Sequence, residues 1–153
     1  MDSAMGEGFN HVLVATDGSR LADAALELAQ RVGSGGRVTA LLVMHDYGLP
    51  EYLRAAIGHR PDARELREEI AAEGRRLLDE AIARTTSDGD WIERCVVLSD
   101  RAPHHEIVTA AQREGCDLIV MATHGKGGRI AGLAGSQARA VVAQATVPVL
   151  VAR

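Results

Sequence analysis

The chain has 153 residues, a mass of 16.2 kDa and a formal net charge of -4 at neutral pH. That length fits one domain of ordinary size, and the mild acidity argues against a general nucleic-acid binder. Hydrophobic residues make up 46% of the chain and charged residues 25%, a balance that excludes global disorder. Aromatic residues make up 3%, too few to predict a stacking platform for bases.

The sequence also bears on the compartment of the protein. No apolar run reaches the roughly 20 residues of a bilayer-spanning helix, and the N-terminus lacks the charged-then-apolar pattern of a secretory signal. We therefore expect a cytoplasmic protein without a membrane or nucleic-acid partner, in which residues 1–10 form a flexible tail and residues 11–153 form one domain. Cys95 and Cys116 are expected to pack as small apolar side chains in a reducing compartment, not to form a disulfide framework.

The apolar pattern predicts strands that alternate with helices. Five short apolar runs are typical of strands, at residues 11–15, 38–44, 92–98, 118–122 and 147–152. The third run is more polar at its start, which favours a position at an edge of the sheet. Helical spacing predicts four helices, which begin at Leu21, after residue 62, at Pro103 and at Ser136.

Several details of these elements are also predicted. Leu21 begins the apolar stripe of the first helix, after a turn and cap at residues 17–19, and Gly33 is its expected C-cap. In the last helix four side chains are expected to face inward: Ala138, Val141, Val142 and Ala145. Residues 45–62 contain two glycines and two prolines, so we expect a loop there, with room for a short helix at 51–57.

This alternation predicts a doubly wound α/β fold. Strands joined through helices pair in parallel by right-handed crossovers, so we expect a three-layer sandwich with a five-stranded parallel sheet and four helices. In such open sheets, ligands bind beyond the carboxyl ends of the strands, where the strand order reverses. Two strand ends carry unusual residues, namely 15–19 after the first strand and 122–136 after the fourth.

Glycines cluster after the fourth strand. Five of the 16 glycines lie between Gly125 and Gly135, and because glycine costs backbone entropy, such a cluster suggests close approach to a ligand. After Asp117 the chain contains one lysine and three arginines and no acid. Exposed amides followed by a helix N-terminus at Ser136 then favour a phosphate group as the ligand. The alternative interpretation is an ordinary surface loop with solvated charges.

The spacing of the glycines differs from two common phosphate motifs and matches a third. There is no G-x-x-x-x-G-K-[ST], and no G-x-G-x-x-G follows the first strand. The chain resembles the universal stress protein family over nearly all of residues 10–153. In the family's nucleotide motif, G-x2-G-x9-G-[ST], Gly125 and Gly135-Ser136 match the last two-thirds, and Ala122 stands where the first glycine belongs. Three further segments resemble the family's first, fourth and last strands: 12–19, 117–125 and 147–151.

The resemblance implies a strand order of 3-2-1-4-5 and an adenine nucleotide at the switch between the first and fourth strands. The nucleotide would be ATP, or else ADP or AMP, with Mg²⁺ possible as its companion. By position, Asp17 would face the adenine and ribose, and Met44 would line the base pocket. Five residues of the glycine segment would hold or surround the phosphates: Gly125, Lys126, Arg129, Gly135 and Ser136. The remaining residues assigned to this site are Ala15, Thr16, Ala122, His124 and Gln137. The family also implies a homodimer through antiparallel pairing of Val147–Val151.

Three functions stay open at this point. The first is a dimeric regulatory module of the stress response, in which bound nucleotide alters the surface offered to an unknown partner protein. The second is an interaction protein of the same fold without nucleotide, because the methyl group of Ala122 could crowd the ligand. The third is a slow ATP hydrolase; fast turnover is disfavoured because Asp17 is the one obvious carboxylate near the site. No catalytic residue is assigned.

Two other interpretations are weak. A receiver domain would need several acids after the first strand, where Asp17 stands alone, although Asp100 follows the third strand. The run His104-His105-Glu106 lacks the spacing of a metal-ligand set, so no metal site is predicted in the chain itself.

Overall fold

The computed structural model describes residues 8–46, 63–123 and 135–153. The predicted short helix at 51–57, most of the predicted loop and tail, and most of the glycine segment lie outside the described residues. Within the described ranges, no helix has the combination of length and apolar character that crossing a bilayer requires.

Five strands form one sheet, in which each strand is parallel to its neighbours. They are β1 (His11–Ala15), β2 (Arg37–His45), β3 (Glu93–Ser99), β4 (Leu118–Ala122) and β5 (Val149–Ala152). Their order, β3-β2-β1-β4-β5, confirms the predicted fold and the edge position of β3. β2 and β3 lie on one side of β1, whereas β4 and β5 lie on the other side. The strand order therefore reverses between β1 and β4, which is the switch point.

Within the described ranges, four α-helices cover the sheet. They are α1 (Asp23–Val32), α2 (Ala63–Thr85), α3 (Pro103–Arg113) and α4 (Ser136–Gln144). Proline begins α3, where its missing N–H has no intrahelical partner to lose. As predicted, Gly33 is the C-cap residue of α1, and its N–H donates to the carbonyl oxygen of Ala29.

Two separate apolar layers hold the sandwich together, because alternate side chains of each strand point to opposite faces. Against α1 and α2 lie strand residues such as Val12, Val14, Leu42 and Val120. Against α3 and α4 lie Leu13, Leu41 and Ile119. A fully buried side chain of this size stabilises the fold by roughly 1.5–3 kcal/mol, so both layers are needed for a stable sheet.

The structure corrects three details of the predicted elements. A 3-10 turn at Arg20–Ala22 precedes α1, so the helical phase starts later than predicted and Leu21 is 61% exposed. Val142 was expected to face inward but is 55% exposed; adjacent helical residues point about 100° apart, and Val141 occupies the inward direction. β5 starts at Val149 and not at residue 147, since Pro148 has no N–H for the ladder.

Polar side chains bond to one another at the amino edge of the sheet, where the strands begin. The imidazole of His11 is 5% exposed; its Nδ1 lies 3.1 Å from the Glu114 carbonyl oxygen and its Nε2 lies 2.8 Å from the hydroxyl of Thr39. Thr39 donates to Glu93, which also accepts from Arg37. The bond from Arg37 lowers the pKa of the Glu93 carboxyl, with burial opposing and Thr39 assisting. We call His11, Thr39, Glu93 and Arg37 the amino-edge network.

The residues before β4 complete this edge. Asp117 accepts the backbone N–H groups of Asn10 and His11 at 2.8 and 2.9 Å; burial of the carboxylate works against them, but the net effect lowers the pKa of Asp117. Cys116 is buried and free, and burial raises the pKa of its thiol to about 11. Cys95 is also free and half-buried, so both cysteines act as small apolar side chains, as predicted.

Candidate functional site

The loop after β1 turns sharply at the switch point. The N–H of Thr16 donates to the Leu41 carbonyl oxygen at 2.9 Å. The Thr16 hydroxyl accepts the N–H of Gly18 at 3.1 Å, and Oδ1 of Asp17 accepts the N–H of Ser19 at 2.9 Å. Such side-chain bonds to a backbone N–H two residues ahead are typical of Asx and related turns. They hold the Asp17 carboxylate at the carboxyl end of β1.

Contacts from α1 and α2 hold the same loop from behind. Gly18 has φ +80°, and a Cβ on it would lie 3.3 Å from Cβ of Leu77, so both the backbone angle and the space favour glycine. The guanidinium of Arg84 donates to the Gly18 carbonyl oxygen at 2.9 Å and to both carboxylate oxygens of Asp23 at 2.8 Å. Hydrogen bonding to Asp23 raises the pKa of Arg84. Arg84 was not predicted from the sequence, because 66 residues separate it from Gly18.

Helix α4 begins against the end of β4. The N–H of Gly135 donates to the Thr123 carbonyl oxygen at 2.7 Å, and a Cβ on Gly135 would lie 2.7 Å from that same oxygen. Gly135 is the N-cap residue and has no side chain to cap the helix, and the first turn contains no acid. The first amides of α4, starting at Ser136, therefore present the positive end of the helix dipole, which is suited to an anion.

Most of the predicted site residues that the structure describes lie together. Ala15 is the last residue of β1, beside β4, and Thr16 and Asp17 follow it. The last residue of β4 is Ala122, and Gly135 and Ser136 adjoin that end. The methyl group of Ala122 packs into the layer under α1 and α2, and Ala15 packs into the opposite layer. Four predicted residues lie outside the described ranges, so their roles stay predictions: His124, Gly125, Lys126 and Arg129.

Met44 lies further from this group. Leu41 pairs with Ala15, so Met44 stands three residues beyond the end of β1. Its side chain packs in the layer under α2, where a Cβ on Gly74 would lie 3.1 Å from Met44 Cγ and 2.7 Å from Val96 Cγ1. Gly74, which sequence analysis missed, thus lets α2 pack closely on β2 and β3; a glycine inside a helical pattern was its available signal. The role of Met44 in a base pocket stays a prediction.

Gln137 joins the first turns of α3 and α4. Its Oε1 accepts the backbone N–H of His104 at 2.9 Å and lies 3.0 Å from Nδ1 of the same histidine. The amide oxygen of Gln137 therefore faces α3, and a contact between its side chain and a nucleotide stays a prediction.

Further carboxylates stand at the carboxyl edge, on the side of β2 and β3: Asp46, Glu106 and the exposed Asp100, which directly follows β3. Asp46 accepts from Arg67 at 2.7 Å, and Glu106 accepts the Ser99 hydroxyl at 2.8 Å. Both are engaged away from the switch between β1 and β4, where Asp17 stands. Across the described ranges, no group of three or more histidine, cysteine or acidic side chains could hold a metal ion.

Comparison with known proteins agrees with this architecture. The sequence profile of the universal stress protein family matches residues 8–153. The chain belongs to the universal stress protein family. A universal stress protein of Thermus aquaticus is 36% identical over 148 residues, and universal stress protein YxiE of Bacillus subtilis is 30% identical over 158 residues. Each alignment covers 95% of this chain and 99% of the relative.

Solved structures of universal stress proteins share the fold. UspA from Lactobacillus plantarum superimposes with a TM-score of 0.71 and 25% identity, covering 97% of this chain and 100% of that one. A universal stress protein from Archaeoglobus fulgidus, solved in complex with dAMP, has a TM-score of 0.65 and 21% identity, covering 93% and 96%. Another, solved in complex with cAMP, has a TM-score of 0.60 and 23% identity, covering 96% and 98%.

Proposed function

We propose that this universal stress protein binds an adenine nucleotide, ATP or else ADP or AMP, at the switch between β1 and β4. The observation that carries the proposal is the contact of Gly135 with Thr123, which brings the first turn of α4 to the end of β4. The Asp17 loop lies beside it on the neighbouring strand. A phosphate chain suits the helix terminus, and the dAMP and cAMP complexes of two proteins of this fold support an adenine nucleotide.

In this proposal, different residues bind the phosphate end and the adenosine end of the nucleotide. The first amides of α4 and the Ser136 hydroxyl hold the phosphates, and Lys126 and Arg129 add positive charge. Asp17 accepts hydrogen bonds from the adenine and ribose end. The methyl group of Ala122 is already used in the layer under α1 and α2, which supports binding despite the absence of the first motif glycine. Mg²⁺ would arrive with the nucleotide, since no protein ligand set is assigned to it.

We further infer that occupancy, not turnover, is the function. Hydrolysis requires a positioned base and usually a metal-binding carboxylate, and Asp46 and Glu106 are bonded to Arg67 and Ser99 on the side of β2 and β3. In this proposal, residues 11–153 form one cytoplasmic domain. A bound nucleotide would instead alter the surface that this domain presents to a partner protein during stress.

We also propose a homodimer through β5, formed by residues 147–151 of two copies. In the described chain β5 pairs with β4 on one side and with no strand on the other. Val149, Leu150 and Val151 are half-buried, and an unpaired apolar edge is prone to association. Antiparallel pairing of two copies would cover this edge, which predicts a sedimentation-equilibrium mass of twice 16.2 kDa.

The nucleotide site is tested by thermal unfolding and calorimetry on protein stripped of nucleotide. ATP should raise the melting temperature of the wild type, because a ligand selective for the folded state stabilises it, whereas UTP should have less effect. Gly135→Asp adds a Cβ 2.7 Å from the Thr123 oxygen and a carboxylate beside the phosphates. We expect ATP affinity to fall by about a hundredfold or more, corresponding to at least two lost hydrogen bonds.

Gly35→Asp is the matched control. A Cβ on Gly35 meets no atom within 4 Å, and the residue lies in the turn before β2, at the opposite edge. Its φ of +97° lowers stability on substitution, but ATP affinity should stay at the wild-type value. The proposal fails if no adenine nucleotide stabilises the wild type, or if Gly135→Asp binds ATP as tightly as Gly35→Asp does.

A further inference from the structure

We propose that Arg84 is a positioning residue for the nucleotide site, which orients the Asp17 carboxylate through the peptide bond between Gly18 and Ser19. The inference rests on the proposed function of the loop after β1. Arg84 belongs to the last turn of α2 and acts on the loop from behind, through backbone atoms.

The guanidinium of Arg84 is itself held in place. Its Nε donates to Oδ2 of Asp23 and its Nη2 to Oδ1, each at 2.8 Å. The side chains of Arg84 and Asp23 are 26% and 16% exposed, whereas those of the surface pair Arg64 and Glu68 are 83% and 68% exposed. A sheltered two-point ion pair keeps its geometry better than a solvated one. Asp23, the first residue of α1, therefore fixes the direction from which Arg84 approaches the loop.

One planar peptide unit links Arg84 to Asp17. The carbonyl oxygen of Gly18 accepts from Nη2 of Arg84 at 2.9 Å, and the N–H of the same peptide unit, on Ser19, donates to Oδ1 of Asp17 at 2.9 Å. Because the atoms of a peptide bond share one plane, the orientation of the carbonyl sets the orientation of the N–H. A cation on the carbonyl oxygen also polarises the unit and strengthens the N–H as a donor.

Gly18 makes this link necessary. Gly18 has a φ of +80°. Because glycine can adopt a wide range of backbone angles, Gly18 can readily leave this conformation. Inside the loop, Thr16 bonds with Gly18 and Asp17 with Ser19, and the Ser19 carbonyl oxygen accepts the N–H of Ala22 at 3.1 Å. These bonds are local in sequence, whereas Arg84 reaches the loop from α2. Arg84 thus ties the peptide to the helical layer, so that its loss would let the peptide unit rotate and the carboxylate turn with it. The adenosine end of the ligand would be affected, and the phosphate end at α4 would not.

Arg94 provides a matched control elsewhere in the fold. Its Nε donates to Asp79 at 2.9 Å, and its Nη1 donates to the carbonyl oxygens of Gly89 and Ile92 at 2.8 and 2.7 Å. Its side chain is 29% exposed, close to the 26% of Arg84. Arg94 therefore combines an aspartate with backbone carbonyls, as Arg84 does, but holds the turn before β3 at the amino edge.

The experiment compares Arg84→Met with Arg94→Met by calorimetric titration with ATP and with tripolyphosphate, and by thermal unfolding. Both substitutions should lower the melting temperature. Arg84→Met should weaken ATP binding by about tenfold, the value of one lost hydrogen bond, and change tripolyphosphate binding by less than about twofold. Arg94→Met should leave both affinities within about twofold of the wild type, because distant sites act independently. Arg84→Lys should be intermediate, since one ammonium lacks the fork that serves two partners.

The outcomes distinguish a failure of the positioning role of Arg84 from a failure of the proposed function. If Arg84→Met and Arg94→Met weaken ATP equally, or if Arg84→Met weakens tripolyphosphate as much as ATP, Arg84 is structural and the inference is overturned. If the wild type binds no ATP, the proposed function fails, and the positioning role fails with it. Should Arg84→Met not fold, Arg84→Lys against Arg94→Lys makes the same comparison.

Discussion

The amino ends and the carboxyl ends of the strands both contain partly buried polar groups, but these groups have different kinds of partner. At the amino edge, the side chains of His11, Thr39, Glu93 and Arg37 bond mainly to one another across β1, β2 and β3. At the carboxyl ends of β1 and β4, the side chains of Thr16 and Asp17 bond to the backbone of their own loop, and α4 begins after Gly135, which has no side chain to cap it. Polar side chains that satisfy one another stabilise a fold, whereas backbone donors at the end of a helix are available to a ligand.

This difference predicts two separable classes of variant. Substitutions in the amino-edge network should lower the free energy of unfolding and leave nucleotide affinity unchanged. Substitutions that leave the backbone at the switch between β1 and β4 in place, such as Asp17→Asn, should lower nucleotide affinity and leave the free energy of unfolding nearly unchanged.

The largest effect is expected for His11→Leu. His11 is 5% exposed. Leucine keeps the apolar volume there but removes the imidazole that contacts the Glu114 carbonyl oxygen and the Thr39 hydroxyl. We expect the free energy of unfolding in urea at neutral pH to fall by about 3 kcal/mol, with ATP affinity unchanged. Gln112→Leu, at an exposed position of α3, should stay within about 0.5 kcal/mol. Equal stability of both variants would contradict a stabilising role for the network.

A smaller effect, on ATP affinity and not on stability, is expected for Asp17→Asn. Asparagine keeps an Oδ1 that accepts the Ser19 N–H but removes the negative charge. ATP affinity should fall by about tenfold, or about 1.4 kcal/mol, while the free energy of unfolding stays within about 0.5 kcal/mol. Asp46→Asn is the control at the same edge and should leave affinity unchanged, because Asp46 is bonded to Arg67. Calorimetric titration with ATP measures both affinities. An equal loss of affinity in the two variants would contradict a specific role of Asp17 at the switch point.

The smallest effect concerns pH and Glu93. Its pKa is lowered in the folded protein, so the stability it adds is fully present above its unfolded pKa, near 4.5, and is lost as the pH falls through the folded value. Glu93→Gln should therefore be less stable than the wild type at pH 7 by less than about 1 kcal/mol, since solvent screens a pair whose side chains are 59% and 47% exposed.

Urea unfolding from pH 7 downward should show the gap between the wild type and Glu93→Gln closing below the unfolded pKa. A gap that widens in acid would mean that Glu93 does not stabilise the fold as a carboxylate.

Sequence patterns were sufficient for much of the fold. Continuous apolar runs located the five strands, and helical spacing with Pro103 and Gly33 located helix ends, because these signals lie within one element. The pattern failed at Leu21 and Val142, where the surface that a helix meets decides which of several apolar residues is buried. Glycine clustering pointed to Gly135, whose close approach to Thr123 the structure then defined.

The sequence by itself thus determined the fold, the family and the strand ends at which the candidate site lies. Only the tertiary structure decided which polar groups meet, such as His11 with Thr39, 28 residues apart, and Gly18 with Arg84, 66 residues apart. Periodicity describes neighbours within one helix or strand, and it predicts burial because burial follows from the face on which a residue stands. A hydrogen bond depends on distance and direction between atoms of different elements, and these exist only once the layers have packed.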